Sequence, residues 1–184
     1  MPASPNPENQ IQVHDLFFVP LITEQAVQAR VKALGQELTS ALGGQNPLFI
    51  SILSGAFVFA ADLIRTFDSS CEVGFVKLAS YTGTRSTGDV QTVMGLDKEL
   101  SGRHLVVVED IVDTGRTLHF FLEHLWAKNP ASITTVAFLR KPEAAAFPVK
   151  VDMVGFDIAD KFVLGYGLDY DGLGRNLKGI FVLK

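Results

Sequence analysis

The run 105–118, LVVVEDIVDTGRTL, sets two adjacent carboxylates, Glu109 and Asp110, at the end of an apolar stretch. Strands of that kind deliver their last residues to the crevice where open α/β sheets bind ligands. Just beyond them, Asp113, Thr114, Gly115, Arg116 and Thr117 bring hydroxyls, a glycine that lets backbone N–H groups approach, and a helix start. Hydroxyls and amides at a helix N-terminus form a cradle suited to a phosphate monoester. Carboxylates beside a phosphate repel it unless they grip hydroxyl groups or a bridging Mg²⁺. The pattern therefore asks for a ligand carrying a phosphate, vicinal hydroxyls and a metal. Asp-Thr-Gly alone would mark only a capped helix, since Asp and Thr are common N-caps. An acidic pair at the end of so apolar a strand needs a different reason.

Other chemistries find little support. No GxxxxGK[ST] loop occurs, and no GxGxxG follows a strand. His14, His104, His119 and His124 are scattered; only the last two share an expected helix, and their spacing of five is not that of a metal pair. With Cys71 they form no zinc-like cluster. There is no nucleophile elbow. Cys71 reads as a small buried apolar residue, and Trp126 as a packing or subunit contact.

The elements that must position these residues can be read from periodicity. A chain of 184 residues, 47% apolar and 20% charged, fits one soluble globular domain and excludes disordered and fibrous classes. The net charge of −4 speaks against nucleic acid binding by overall charge. The longest apolar stretch, 48–61, is interrupted by Ser51, Ser54 and Gly55 and falls short of the roughly 20 residues a membrane helix needs. One cysteine and no visible secretory signal suit a reducing, cytoplasmic setting.

Residues 1–10 read as a flexible tail. Val27, Val31, Leu34, Leu38 and Leu42 step by three or four, predicting a helix over 23–42 that ends at Gly43 and Gly44. Strands are expected at 48–53, 72–79, 92–96, 104–108, 132–139, 153–156, 162–166 and 180–183, and further helices at 57–67 and 117–128. Residues 80–91 are small and polar, the composition of a loop. Strands alternating with helices predict an α/β fold with a mainly parallel sheet flanked by helices. No linker divides the chain, so 1–184 is expected to be one domain.

At VVVEDIVDTGRTL the chain resembles the phosphoribosyl-diphosphate (PRPP) binding motif of type I phosphoribosyltransferases. The polar loop with Ser80 and Tyr81 resembles the flexible loop of the hypoxanthine-guanine branch. Residues 154–175, VGFDIADKFVLGYGLDYDGLGR, are similar to that branch's purine-binding region. The three motifs occur in the family's order, and the likeness extends from about Phe17 to Leu183. It implies a small hood built from both chain ends, and transfer of the 5-phosphoribosyl group from PRPP to N9 of a 6-oxopurine with release of pyrophosphate.

The resemblance also implies roles. Glu109 and Asp110 hold the ribose hydroxyls, directly or through metal-bound water, with Mg²⁺ as the cofactor. Asp113 stands at purine N7 as a general acid/base. Thr114, Gly115, Arg116 and Thr117 cradle the 5′-phosphate, with the Arg116 side chain either adding charge there or pointing to solvent. Lys141 donates to purine O6, Phe162 stacks on the base and Val163 reads its edge through the backbone. Asp169 supplies a second metal ligand and Arg175 a pyrophosphate contact. Ser80 and Tyr81 close over PRPP, keeping water from the ribosyl cation. Lys161 supports the purine pocket. Ser54 and Gly55 occupy the pyrophosphate loop, where the family often has a lysine before the glycine and a non-proline cis peptide. Ser54 cannot supply that charge; backbone amides can still bind the pyrophosphate, so activity is expected with altered PRPP affinity or subunit contacts.

Two alternatives stand beside this one: a xanthine-preferring relative, and a non-catalytic regulator that senses PRPP with the same fold. A lysine donor at the 6-position argues against adenine, because an exocyclic amine is a poor acceptor. The expected partners are PRPP, a 6-oxopurine, pyrophosphate and further copies of the chain, as a homodimer or homotetramer. Neither nucleic acid nor membrane is expected.

Overall fold

The computed structural model describes residues 10–79, 91–94 and 98–184. The chain order is β1 (Ile11–Val13), β2 (Leu16–Ile22), α1 (Glu24–Leu42), β3 (Leu48–Leu53), α2 (Phe57–Thr66), β4 (Glu72–Ala79) and β5 (Gln91–Met94). It continues with β6 (His104–Val112), α3 (Arg116–Trp126), β7 (Ser132–Arg140), β8 (Met153–Asp157), β9 (Val163–Leu164) and β10 (Ile180–Leu183). A 3₁₀ turn, Pro142–Ala144, follows β7.

The larger sheet has the order β5-β4-β3-β6-β7-β8. Its strands β4, β3, β6, β7 and β8 run parallel, and β5 is added antiparallel at the edge. Side chains alternate across it. In β3, Phe49 faces the layer holding Val27, Val31, Leu34 and Leu38 of α1 and Phe59 and Leu63 of α2. Leu48, Ile50 and Ile52 face the opposite layer, with Leu118, Phe121 and Leu125 of α3. Each fully buried Leu, Ile or Phe contributes roughly 1.5–3 kcal/mol of transfer free energy. That places the strength of the scaffold in β3, β6 and β7. It leaves their C-terminal ends rigid enough to carry polar groups.

Thr23 starts α1, its side-chain oxygen accepting from Ala26 N–H at 3.3 Å. Gly43 closes it by donating to the Thr39 carbonyl at 2.9 Å. Gly35, in the middle of α1, lies against Thr66 at the end of α2.

The second sheet, β1-β2-β10-β9, is antiparallel and draws on both ends of the described chain. The strands β1 and β2 were not among the expected elements. Pro20 lies inside β2 and weakens any strand pattern there. The longest ladder of β2 runs to β10, at the far end of the sequence.

Two expected strand boundaries shift for visible reasons. The strand expected at 104–108 runs on to Val112, because β7 stays paired with it as far as Val112 and Arg140. Glu109 and Asp110 thus lie within the last stretch of paired strand, not beyond it. The strand expected at 162–166 shortens to Val163–Leu164, because Gly165, Tyr166 and Gly167 all take positive φ (106°, 48° and 106°). The helix expected at 117–128 spans Arg116–Trp126. Cys71 is half-buried instead of buried, and desolvation pushes its thiol pKa up. Trp126 is 52% exposed. No helix among the described residues is long and apolar enough to cross a membrane.

Candidate active site

Four parallel strands end at one edge of the large sheet, and each is followed by residues with chemistry. After β3 come Ser54 and Gly55; the last stretch of β6 carries Glu109 and Asp110 before Ile111 and Val112, and the strand leads to Asp113. After β7 comes Lys141, and beyond β8 come Asp160, Lys161 and Phe162. The loop 165–175, between β9 and β10, adds Asp169 and Arg175. Ser80 and Tyr81 lie outside the described residues.

Lys141 is the centre of one cluster. It is 8% exposed, and its backbone N–H donates to the Val112 carbonyl at 2.9 Å. Its ammonium donates to Asp113 Oδ2 at 2.8 Å and to Asp160 Oδ1 at 3.1 Å. Burial pulls the ammonium pKa down, but the hydrogen bonds to Asp113 and Asp160 outweigh it and hold the value above that of ordinary lysine. A lysine before Pro142 would ordinarily be solvated; here it is a buried, charged donor. Asp160 was absent from the expected site, because in the string Ala159-Asp160-Lys161 it reads as a surface carboxylate.

Asp110 is the centre of a second. Its Oδ1 accepts from Ile111 N–H at 3.0 Å, and its carboxylate rests against the α-carbon of Gly55. Burial pushes its pKa up to about 6, with the Asp169 charge adding to the rise and the Ile111 amide and Arg175 opposing it. Burial, reinforced by Asp110, also pushes Glu109 well above the usual carboxylate range. Glu109 Oε2 is buried with no hydrogen-bond partner among the described residues.

Arg175 donates to the Gly167 carbonyl at 2.6 Å and pairs with Asp169 Oδ1 at 2.6 Å. Asp169 Oδ2 accepts from Gly172 N–H at 2.8 Å. Gly167 in turn packs so closely on the Gly55 carbonyl that no side chain fits between them. The Ser54-Gly55 loop, the acidic pair and the 165–175 loop therefore form one packed unit. Ser54 is exposed, and the Leu53–Ser54 peptide is cis.

The cradle lies at the start of α3. Gly115 is its N-cap with φ 78° and no side-chain cap bond among the described residues, so the Thr117 and Leu118 amides at the start of the helix point toward the space an anion would take. Arg116 N–H is 3.4 Å from Thr114 Oγ1. The Thr114 carbonyl accepts from Ala146 and Phe147 N–H, both at 3.0 Å, which ties the cradle to the chain after β7. The Arg116 guanidinium lies 5.9 Å from the centre of the Phe147 ring.

Phe162 is 43% exposed and braced by Phe18 and Tyr170, at ring distances of 6.1 and 5.7 Å. An aromatic face held this way can stack on a planar base. Val163 beside it is buried in β9. Tyr170 donates to Asp15 Oδ1 at 2.8 Å, and His14 Nε2 lies 3.2 Å from the Asp171 carbonyl. These contacts tie the β1–β2 turn to the 165–175 loop.

The family model described as phosphoribosyl transferase domain matches residues 21–171. The chain is 43% identical to the hypoxanthine-guanine phosphoribosyltransferase of Bacillus subtilis over 93% of this chain and 95% of that protein. Its fold matches a hypoxanthine phosphoribosyltransferase of Staphylococcus aureus with a TM-score of 0.86, at 37% identity and 90% of each chain covered. It also matches a lysine-to-arginine mutant of the Trypanosoma cruzi hypoxanthine phosphoribosyltransferase in a ternary substrates complex. There the TM-score is 0.84, at 35% identity over 90% of this chain and 94% of that one. Likeness of this extent along nearly the whole chain makes it a member of the phosphoribosyltransferase family, in the hypoxanthine-guanine group.

Proposed function

We propose that the chain transfers the 5-phosphoribosyl group of PRPP to N9 of hypoxanthine or guanine, giving the nucleotide and pyrophosphate in purine salvage. The observation that carries this is the Lys141–Asp113 pair, a buried ammonium 2.8 Å from a carboxylate at the edge where the sugar-phosphate cradle also lies. One group meets purine O6 and the other N7, so one pair both selects and activates the base.

In this reading Phe162 stacks on the purine and Val163 meets its edge. Lys141 donates to O6, and Asp113 holds or moves the proton at N7 as N9 becomes a nucleophile. The first amides of α3, with Thr114 and Thr117, hold the 5′-phosphate. Glu109 and Asp110 take the ribose hydroxyls, while the Gly55 loop and Arg175 hold the pyrophosphate. Bond breaking leaves positive charge on the ribosyl ring, and in this reading Glu109 and Asp110, once ionised, would stabilise that charge. Ser80 and Tyr81 are the proposed cover against water.

Mg²⁺ is the proposed cofactor, with Glu109, Asp110 and Asp169 as the residues that would hold it. A buried carboxylate oxygen without a partner, beside a second carboxylate of raised pKa, suits a hard cation with oxygen ligands. Bound there, it would neutralise the departing pyrophosphate. No group of three or more metal-ligating side chains is found among the described residues. Glu109, Asp110 and Asp169 therefore form no closed cage by themselves, and substrate oxygens would have to complete the coordination. A homodimer or homotetramer in the cytoplasm is the proposed setting.

Initial rates with PRPP, Mg²⁺ and each of hypoxanthine, guanine, xanthine and adenine test the proposal, followed by ultraviolet absorbance. Turnover of hypoxanthine and guanine, abolished by EDTA, is expected. Preference for xanthine would move the error to the purine pocket. PRPP binding without turnover of any base would replace the enzyme by a sensor.

A further inference from the structure

The mechanism above uses Asp113 and Lys141 and leaves Asp160 without a task. Yet Asp160 Oδ1 is one of the two carboxylate oxygens on the Lys141 ammonium, at 3.1 Å against 2.8 Å for Asp113. The two come from different elements: Asp113 follows β6, and Asp160 lies between β8 and β9. The base of the lysine is fixed separately, by its backbone bond to Val112. Lys141 is therefore held at its backbone and, from two directions, at its head.

An ammonium has three N–H donors and no acceptor. Among the described residues two donors are committed to carboxylates, so the third has a set direction and is the one left for a ligand. A purine with oxygen at C6 satisfies it. A purine with an amino group there brings N–H against N–H. An ammonium free to rotate would escape that conflict by swinging aside; one held by two anchors would not. Its raised pKa closes the other escape, loss of the proton.

We propose that Asp160 is a positioning residue that sets the preference for 6-oxo over 6-amino purines, by denying the Lys141 ammonium the freedom to turn away. The inference rests on the function proposed above and adds the residue that enforces its base selectivity. The Asp160 side chain is 58% exposed, so its replacement is expected to leave the core intact.

The test compares the wild type with Asp160→Asn, Asp160→Ser and Asp160→Glu at saturating PRPP. Kinetic constants are measured with hypoxanthine and with adenine, and adenine is titrated as an inhibitor of hypoxanthine turnover. For Asn and Ser, the ratio of kcat/KM for hypoxanthine over adenine is expected to fall about tenfold, as befits loss of a charged hydrogen bond. Hypoxanthine KM should rise and kcat stay within about twofold, the pattern of lost binding that is shared by ground and transition states. Adenine should inhibit more tightly, and Glu should restore most of the wild-type ratio. An unchanged ratio in a folded Asn or Ser variant overturns the inference while leaving the enzyme reading intact. So does an equal fall in kcat for both bases. A wild type that turns over no base overturns both.

Discussion

The Asp110 carboxylate rests on the α-carbon of Gly55, in the space that any side chain on Gly55 would need. On the other side of the same loop, the Gly55 carbonyl lies against Gly167. Gly55→Ala must therefore displace either the Asp110 carboxylate, proposed to hold the ribose, or the loop that carries Arg175. The expected result is a rise of at least about tenfold in the KM for PRPP, with a smaller change for hypoxanthine, since displaced binding groups cost more than about 1.4 kcal/mol. Initial rates against PRPP concentration decide it, and an unchanged PRPP KM would show that the contact has slack.

The acidic pair gives the stability of the free chain an unusual pH dependence. A carboxyl whose pKa is higher folded than unfolded binds more protons in the folded state. Stability is then lost as pH rises from the unfolded value through the folded one. For Asp110 that window runs from 3.8 to about 6, and for Glu109 it extends well upward from 4.5. Glu109→Gln mimics the protonated acid. It should change melting little at about pH 4.5 and raise the midpoint by about 3–6 °C at about pH 7.5 in EDTA, for a relief of about 1.5 kcal/mol in a chain of this size. The same variant should bind PRPP and Mg²⁺ more weakly. Equal shifts at both pH values would contradict the assignment.

Asp113 and Lys141 can be separated from the sugar site by chemistry. Asp113→Asn keeps shape and hydrogen-bonding atoms but removes the base. Turnover of hypoxanthine should fall by about 10²–10⁴, while PRPP affinity, measured by titration calorimetry, stays within a few-fold. Asp160 retains its contact with Lys141 in this variant, so the ammonium is not left unpaired. Turnover within a factor of about ten of the wild type would move the proton transfer elsewhere.

Much of this was legible in the sequence for a local reason. The stripe from Val27 to Leu42 and the apolar runs of β3 and β6 each carry their own signal, and the fold shows them with ends moved by a residue or a few. The string from Glu109 to Thr117 was legible because one strand, one turn and one helix start contain it. What could not be read depends on distant partners. Pro20 hides β2, whose long ladder runs to β10. The burial of Lys141 depends on carboxylates 28 residues before it and 19 after it, and Asp160 becomes notable only beside that ammonium. Likewise, the need for glycine at 55 comes from Asp110 and not from any local turn.

Gly35 sets the spacing of α1 and α2, and its replacement pits two effects against each other. Within a helix, Gly→Ala ordinarily stabilises by about 1 kcal/mol through propensity and unfolded-state entropy. Here the added methyl would collide with the Thr66 hydroxyl and lie 2.8 Å from the Thr66 backbone oxygen. That hydroxyl donates to the Leu63 carbonyl at 2.7 Å, so it has little freedom to move. Overpacking of this kind costs about 1–3 kcal/mol, and the backbone oxygen puts it at the upper end. Gly35→Ala should therefore destabilise by about 1–2 kcal/mol net, lowering the melting midpoint while leaving PRPP and purine KM values unchanged. A rise in the midpoint would mean that α2 can retreat from α1 at little cost. In that event the interhelical contact is softer than the close approach of Gly35 and Thr66 indicates.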